Sequence, residues 1–389
     1  METEDLKFFD DLRKEITQLL CRLIEQDTTN PPGNEERAAK VMHEFLDECA
    51  IPYKDYEKEP GRTNVVATIG KGRPALLVAA HLDVVPAGEG WTTEPFEPVV
   101  RDGRVYGRGA VDNKGQLAAM LMCAKFLKER EGELKGSLVL VGAADEEQGS
   151  KYGLDYLVKE NLIEADAAII PDIANSMRRV SIGEKGMARF KVVSRGVQAH
   201  ASTPDLGFNA VWPLVDFLNR FKEADFSAPK HELFSPPTTN VGVIRGGAAV
   251  NIVPAQAEVD IDFRYLPGTT SEQIASKLDA LIVETGAACP GSKLECTRYE
   301  DMQPFTVSRD EAIVKIIEKN ARDILNIEIS PMGMEGTTVC KQLVENGVVA
   351  AGYSCGASGV AHIANEYIAI DEMADFAKVM AAIIIDYCK

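Results

Sequence analysis

The chain has 389 residues, of which 45% are hydrophobic and 26% charged, and these values exclude a largely disordered protein. Its length exceeds the ~250–300 residues at which single cores usually stop growing, so we expect two domains. The formal net charge of −18 argues against nucleic acid or an anionic membrane surface as the main partner, because both attract an excess of Lys and Arg.

The eight cysteines are scattered, and no pair has the C-x-x-C spacing. We therefore expect reduced thiols rather than disulfides or a cysteine-based zinc site. The chain begins METEDLKFFDD, without the basic and apolar regions of a secretory signal. Its apolar runs are far shorter than the ~20 residues of a membrane span. These features predict a cytoplasmic protein.

The first part of the chain alternates helical and strand patterns. Helices are predicted over 4–25, 35–49, 114–130 and 152–160, and strands over 64–69, 75–80, 137–144 and 167–170. Such alternation predicts an α/β layer structure with a largely parallel sheet.

A different pattern follows. Strands are predicted over 187–195, 239–244 and 258–263, and helices over 209–222 and 271–285. This order predicts a small α+β sandwich. Helix–strand alternation then resumes and ends with a helix over 371–387. We therefore predict one discontinuous α/β domain, residues 1–182 and 298–389, interrupted by an inserted domain, residues 183–297.

Residues able to bind metal follow several of the predicted strands. They are His81 and Asp83 after the strand over 75–80, Glu146 and Glu147 after that over 137–144, Asp172 after that over 167–170, and Asp112 at the start of a helix. The carboxyl ends of strands in an open sheet form one crevice, so we expect these side chains to converge. A single acidic residue after a strand commonly caps the next helix, but three such sites beside a histidine are hard to explain in that way.

Carboxylates gathered in one pocket need compensating charge. Like charges ~4 Å apart repel by ~4 kcal/mol at an effective dielectric constant of 20, so without cations several of these carboxyls would be protonated. Two divalent cations would balance three ligating carboxylates and a bridging hydroxide. Histidine and carboxylate ligands suit zinc, with cobalt or manganese as substitutes, and two such metals form a hydrolytic centre.

Seven motifs span nearly the whole chain: DTTNPPGNE, AAHLDVVPAG, GRVYGRGAVDNKG, ADEEQGS, GVQAHAS, NIVPAQAEVDIDFR and AHIANEY. With them the chain resembles the dinuclear zinc deacylases and exopeptidases that include acetylornithine deacetylase, succinyl-diaminopimelate desuccinylase, aminoacylase and glutamate carboxypeptidase. The resemblance implies a zinc-exopeptidase-like α/β/α catalytic domain with an inserted α+β sandwich. That insertion would serve as a lid and as the interface of a homodimer.

The resemblance also implies a set of metal ligands. His81 and Asp172 would bind one metal, Glu147 and His362 would bind the other, and Asp112 would bridge both. The cofactors would be two divalent ions, Zn²⁺ in the first place and Co²⁺ or Mn²⁺ as alternatives.

Three residues acquire catalytic roles by the same resemblance. Glu146 would be the general base that takes a proton from a metal-activated water and delivers it to the leaving amine. Asp83 would orient the imidazole of His81. His200, in the inserted domain, would stabilise the oxyanion, often across the dimer interface. A local hydrogen bond within its loop is the alternative for this histidine.

Asn251 and Arg264 match residues that hold the substrate's carboxylate, a task that suits a guanidinium because it can donate two hydrogen bonds. A surface ion pair of Arg264 with Asp260 or Asp262 is the alternative interpretation.

These roles predict a metal-dependent amidohydrolase that cleaves an N-acyl amino acid carrying a free carboxylate, with neither nucleic acid nor a membrane as partner. Two departures from the family pattern concern the substrate. Position 172 carries Asp where many deacylases of the family carry Glu, and Asp is commoner in the peptidase branches. The segment MGMEGTTVC (332–340) stands where relatives often read Gly-Gly-Thr-Asp. An exopeptidase acting on short peptides, either a dipeptidase or a carboxypeptidase, is the first alternative. A non-catalytic binding protein that kept the fold is the second.

Overall fold

A computed structural model describes residues 3–389. The helices in these residues are α1 (Thr3–Asp11), α2 (Arg13–Ile24), α3 (Glu36–Glu48), α4 (Lys114–Lys128), α5 (Leu154–Lys159), α6 (Val211–Glu223), α7 (Ser271–Ala288), α8 (Ala312–Leu325), α9 (Cys340–Glu345) and α10 (Ile370–Cys388). Short 3₁₀ helices cover Glu131–Glu133, Glu146–Gln148 and Pro204–Leu206.

The strands described are β1 (Tyr53–Glu57), β2 (Thr63–Gly70), β3 (Ala75–His81), β4 (Val99–Arg101), β5 (Arg104–Tyr106), β6 (Ser137–Ala143), β7 (Ala167–Ile170), β8 (Arg179–Glu184), β9 (Gly186–Arg195), β10 (Thr238–Gly246), β11 (Gln256–Tyr265), β12 (Lys293–Met302), β13 (Phe305–Thr306), β14 (Ser330–Met334), β15 (Val349–Gly352) and β16 (Tyr367–Ala369).

The chain divides into two compact units. Unit 1 contains the described residues up to Ile182, together with Val307–Met332 and Thr338–Lys389, and unit 2 contains Gly183–Thr306 and Gly333–Thr337. Among residues 3–389, no helix combines the length and the apolar composition that crossing a membrane requires.

Unit 1 is built on a sheet in which strands follow the order β1-β2-β6-β3-β7-β15-β8. The neighbours β6, β3, β7 and β15 run parallel, whereas β1, β2 and β8 are antiparallel to their neighbours. The prediction of a largely parallel sheet is therefore right only for the centre. Residues 58–62, which join β1 to β2, are too few for the crossover that parallel neighbours need.

The central strands explain the continuous apolar runs of the sequence. β3, β6 and β7 are buried along their whole length, and α3, α4, α9 and α10 pack against strands of the sheet. Strands covered on both faces have no solvent-facing positions, so the alternating pattern of half-buried strands is absent from them.

The register of these strands positions the site. His81 at the end of β3 pairs with Ala143 at the end of β6, and Val78 of β3 pairs with Ile169 of β7. The three strands therefore end at the same edge of the sheet. The residues that follow them emerge side by side at that edge, as the sequence predicts.

Two helices replace the single helix predicted over 4–25. α1 and α2 are separated at Leu12, which has an αR conformation and precedes α2. The apolar spacing continues through both helices, since Phe9, Ile16 and Leu20 are all buried. Periodicity alone therefore could not show the interruption.

Unit 2 is an antiparallel sheet in the order β10-β11-β9-β12, with α6 and α7 packed against it. Phenylalanines from both layers form its core: Phe190 and Phe263 from strands and Phe217 and Phe221 from α6. β9 and β11 show the predicted alternation of buried and half-buried residues.

β12 was not predicted, because this edge strand is largely exposed and rich in charged residues. The predicted boundary between residues 297 and 298 falls inside it, although the whole strand belongs to unit 2.

Candidate metal centre

Five side chains meet at the edge where β3, β6 and β7 end. The possible ligand atoms of His81, Glu146 and Asp172 lie within 4.8 Å of one another, and so do those of His81, Asp112 and Glu147. The two sets share His81 and are therefore adjacent. Positions separated by tens of residues in the sequence thus form one cluster of nitrogen and oxygen donors.

Asp112 lies between two imidazoles. Its Oδ1 is 2.9 Å from Nε2 of His81, and its Oδ2 is 3.0 Å from Nε2 of His362. The same nitrogen of His362 is 3.2 Å from Oε1 of Glu147, while Oδ1 of Asp172 is 4.0 Å from Nε2 of His81. All five ligands named from the sequence are therefore in one cluster, and their assignment to two metals stays a prediction.

His81 presents Nε2 to this cluster because its other nitrogen is occupied. Nδ1 lies 2.9 Å from the main-chain carbonyl oxygen of Asp83. A carbonyl can only accept, so Nδ1 carries a proton, and Nε2, which faces Asp112, is the nitrogen available to a metal once it is deprotonated. The predicted contact with the Asp83 carboxylate is longer, at 3.6 Å.

The Asp83 carboxylate also holds the main chain of the turn that carries Glu146 and Glu147. It is fully buried, and its oxygens accept hydrogen bonds from the main-chain nitrogens of Glu146 and Glu147, both at 3.1 Å. The side-chain nitrogen of Asn30 donates a third bond, at 2.8 Å. Although burial alone would raise the pKa of Asp83, contacts with His81 and these donors hold it below the usual value.

Glu366 and Arg108, which no pattern in the sequence marks as functional, support the main chain at Asp112. The buried Glu366 carboxylate accepts hydrogen bonds from the main-chain nitrogens of Val111 (2.8 Å) and Asp112 (3.1 Å). It also accepts a 2.6 Å bond from Nη1 of the buried Arg108. Both residues stand in quoted motifs, AHIANEY and YGRGAVD, but their spacing gives no sign that they meet.

The carboxyls of the cluster carry more negative charge than the protein's own cations balance. Burial raises the pKa of Glu146 to about 8; His81 opposes this rise and the charge of Glu147 adds to it. Burial and the charge of Asp112 raise the pKa of Asp172 well above its usual value. Divalent cations would neutralise this excess negative charge, and a set of imidazole and carboxylate donors suits zinc. The residues therefore fit a metal centre.

His200 and Asn251 belong to unit 2, where their segments pair. His200 and Ile252 form an isolated antiparallel bridge, and the carbonyl of Asn251 accepts from the nitrogen of Ala201. Both residues are exposed. The main-chain N–H of Ser202 donates to Nδ1 of His200 at 3.1 Å, so the ring proton is on Nε2, which is the donor nitrogen.

Arg264, also in unit 2, forms the ion pair that the sequence suggested as an alternative. Its Nε lies 2.9 Å from Oδ1 of Asp262, and its Nη1 lies 3.4 Å from the hydroxyl of Thr337. In the same loop, Glu335 pairs with the buried Lys185 and accepts a 2.9 Å bond from the Ser235 hydroxyl. Glu335, which departs from the family pattern, thus has its ion-pair and hydrogen-bond partners within unit 2.

A family model described as peptidase family M20/M25/M40 matches residues 77–386. This chain belongs to that family. A metallohydrolase of Methanocaldococcus jannaschii, itself uncharacterised, is 31% identical over 414 aligned positions, which cover 96% of this chain and 100% of that protein. A probable succinyl-diaminopimelate desuccinylase of Staphylococcus epidermidis is 28% identical over 385 positions, which cover 91% of this chain and 93% of the relative.

The crystal structure of a tripeptidase from Staphylococcus aureus has a TM-score of 0.79 and 24% identity, and the match covers 97% of this chain and 98% of that one. The likeness shows a shared fold. The family resemblance and the fold class predicted from the sequence are therefore confirmed. As a member of the family, the chain is a metal-dependent hydrolase of amide bonds.

Metal binding should release protons from the metal-free protein. Hydrogen bonds to Asp112 and Glu147 raise the pKa of His362 to about 10, so its imidazole is protonated at pH 7. A metal requires the neutral ring, and Zn²⁺ must therefore displace this proton. We expect Zn²⁺ affinity to rise from pH 7 to pH 10, and His362→Ala to release about one proton fewer at pH 7.

Isothermal titration calorimetry in two buffers of different ionisation enthalpy measures this number. His43→Ala is the control, because His43 pairs with Asp55 outside the cluster. Equal proton release by the wild type and His362→Ala would contradict the prediction.

Proposed function

We propose that this enzyme cleaves the amide bond of an N-acyl amino acid that carries a free carboxylate, with Glu146 as the general base beside two divalent metal ions. The observation that carries the proposal is the different environment of two adjacent acids. Glu147 contacts His362, whereas burial raises the pKa of Glu146 to about 8. A group with such a pKa can both accept and donate a proton near neutral pH.

His81 and Asp172 would hold one ion, Glu147 and His362 the other, and Asp112 both, with Zn²⁺ suited to these donors. When bound, the metals would lower the pKa of a water molecule and polarise the carbonyl of the substrate.

The carboxylate of Glu146 would take a proton from the attacking water as its oxygen bonds to the carbonyl carbon. The same group would then deliver this proton to the nitrogen as the carbon–nitrogen bond breaks, releasing a carboxylate and an amine. His200 is proposed as the donor to the carbonyl oxygen, since its Nε2 carries the ring proton. Asn251 and Arg264 are proposed to bind the free carboxylate, with Arg264 exchanging contacts with Asp262 when substrate binds.

Exopeptidase activity is the second candidate, because Asp172 is shorter than the Glu of many deacylases and the chain shares its fold with a tripeptidase.

Unit 2 is proposed as the lid and as the interface of a homodimer. Its strand β10 lies at the sheet edge with every residue exposed, and Trp212 on α6 is 67% exposed. An unpaired edge strand and an exposed aromatic side chain are features of protein–protein interfaces.

Glu146→Gln should lower kcat by about 10²–10⁴-fold and leave the Zn²⁺ content unchanged, because the amide keeps the shape of the side chain but does not accept a proton as a base. Steady-state kinetics and metal analysis measure the two effects. Glu160→Gln, the same substitution at an exposed position, is the control. Near-normal kcat in Glu146→Gln would show that another group is the base.

The substrate class is tested with Zn²⁺-loaded enzyme on matched N-acetyl, N-succinyl and N-formyl amino acids, dipeptides and N-terminally blocked dipeptides. We expect the highest kcat/KM for an N-acyl amino acid and a large loss when its carboxylate is amidated, because Arg264 would lose its partner. A preference for unblocked dipeptides would favour the exopeptidase. No turnover of any compound would reject the proposed function.

Trp212→Glu should convert the proposed dimer to a monomer, because a charge would then be buried in an apolar contact. Light scattering after size-exclusion chromatography measures the mass. Val283→Glu on α7, where Val283 is 71% exposed, tests whether any new surface charge has this effect. A monomeric wild type, or a dimeric Trp212→Glu, would contradict the proposed interface.

A further inference from the structure

The motif DTTNPPGNE has no role in the proposed chemistry, yet three of its polar residues are buried: Thr28, Asn30 and Glu35. Buried polar side chains need hydrogen-bond partners. Their partners show what this segment supports.

The main chain of the motif lies beside the residues that follow His81. The nitrogen of Asn30 donates to the carbonyl of Val84 at 2.9 Å, and the nitrogen of Val84 donates to the carbonyl of Thr28 at 3.2 Å. The Thr28 hydroxyl donates to the carbonyl of Leu82 at 2.7 Å. The segment is therefore attached to the chain between His81 and Val84.

The side chain of Asn30 joins two loops of unit 1. Its Nδ2 is 2.8 Å from Oδ2 of Asp83 and 3.0 Å from Oδ1 of Asp145. An amide nitrogen carries two protons, so it can donate to both carboxylates at once. Asp83 in turn accepts from the main-chain nitrogens of Glu146 and Glu147. Asn30 thus supports the main chain of both residues.

A second residue of the motif supports the same turn. Glu35 accepts two 2.7 Å bonds from Arg62 and a 3.1 Å bond from the nitrogen of Asp145. Arg62 also donates to Oδ1 of Asp145 at 2.8 Å. Asp145 has φ +64°, a left-handed conformation that is uncommon for non-glycine residues. Its surroundings must hold it there.

We infer that Asn30 is a positioning residue of the metal centre, because its amide holds Asp83 and Asp145 together and so fixes the main chain of Glu146 and Glu147. This inference rests on the proposed function for the roles of the two glutamates. Without Asn30, Asp83 and Asp145 keep their other donors, but the two hydrogen bonds that join these carboxylates to one group are lost. The turn that carries Glu146 and Glu147 would then lose its fixed position.

The test compares Asn30→Ala and Asn30→Asp with Asn320→Ala. Asn320 is an apt control, since it is also a buried asparagine of unit 1 whose Nδ2 makes two hydrogen bonds. One goes to the carbonyl of Ile316 at 2.9 Å and the other to the Asp386 carboxylate at 3.1 Å. Zn²⁺ affinity is measured by competition with a chelator, folded fraction by circular dichroism, and kcat and KM separately.

We expect Asn30→Ala to weaken Zn²⁺ binding about 10–100-fold and to lower kcat by a similar factor with little change in KM. Asn30→Asp keeps the shape but leaves at most one proton to donate between two carboxylates, so it should also weaken Zn²⁺ binding. Asn320→Ala should lose thermal stability and keep its Zn²⁺ affinity and kcat.

Wild-type Zn²⁺ affinity in folded Asn30→Asp would overturn the inference, because a donor to both carboxylates would then be unnecessary. The inference would also be overturned if Zn²⁺ affinity and kcat in all three variants fell only in proportion to the fraction of folded protein. The chelator assay needs no substrate. A wild type inactive on every amide would therefore reject the proposed function while the role of Asn30 is still tested.

Discussion

Negative charge collected at one edge of the unit 1 sheet is the constraint on which the rest of the site depends. β3, β6 and β7 end in register, so the acidic residues that follow them share a small volume. Burial, and next to it repulsion between the carboxylates, raises the pKa of Glu146 and Asp172. A site of this kind attracts divalent cations, which supply positive charge in a form that several carboxylates can share.

The guanidinium groups of Arg62 and Arg108 do not relieve this charge, because they are paired behind the cluster. Arg62 binds Glu35 and Asp145, and Arg108 binds Glu366. Asp83 and Glu366 are satisfied largely by main-chain N–H groups. The supporting acids thus have donors of their own. This arrangement divides the acidic residues of the site into those that hold its shape and those that face a metal.

Most strands and helices near the site could be predicted from the sequence, because a buried strand and an amphipathic helix have distinct periodicities. β7 has the predicted bounds, and β3 and β6 differ from theirs by one residue. β12 was missed because its sequence, KLECTRYEDM, is dominated by charged residues and has few apolar ones to form a strand pattern. The break at Leu12 was hidden for the opposite reason, because both helices bury residues at the same spacing.

The sequence by itself determined the family, the reaction class and the candidate ligands, because residue type and order carry the chemistry of a donor set. Only the tertiary structure decided which acids support the others. The bonds from Asn30 to Asp83 and from Asp112 to Glu366 join residues far apart in the chain. The spacing of such residues along the sequence does not give the distance between them in space. Their pairing follows from strand order and register, which form only when the sheet and its covering helices pack together.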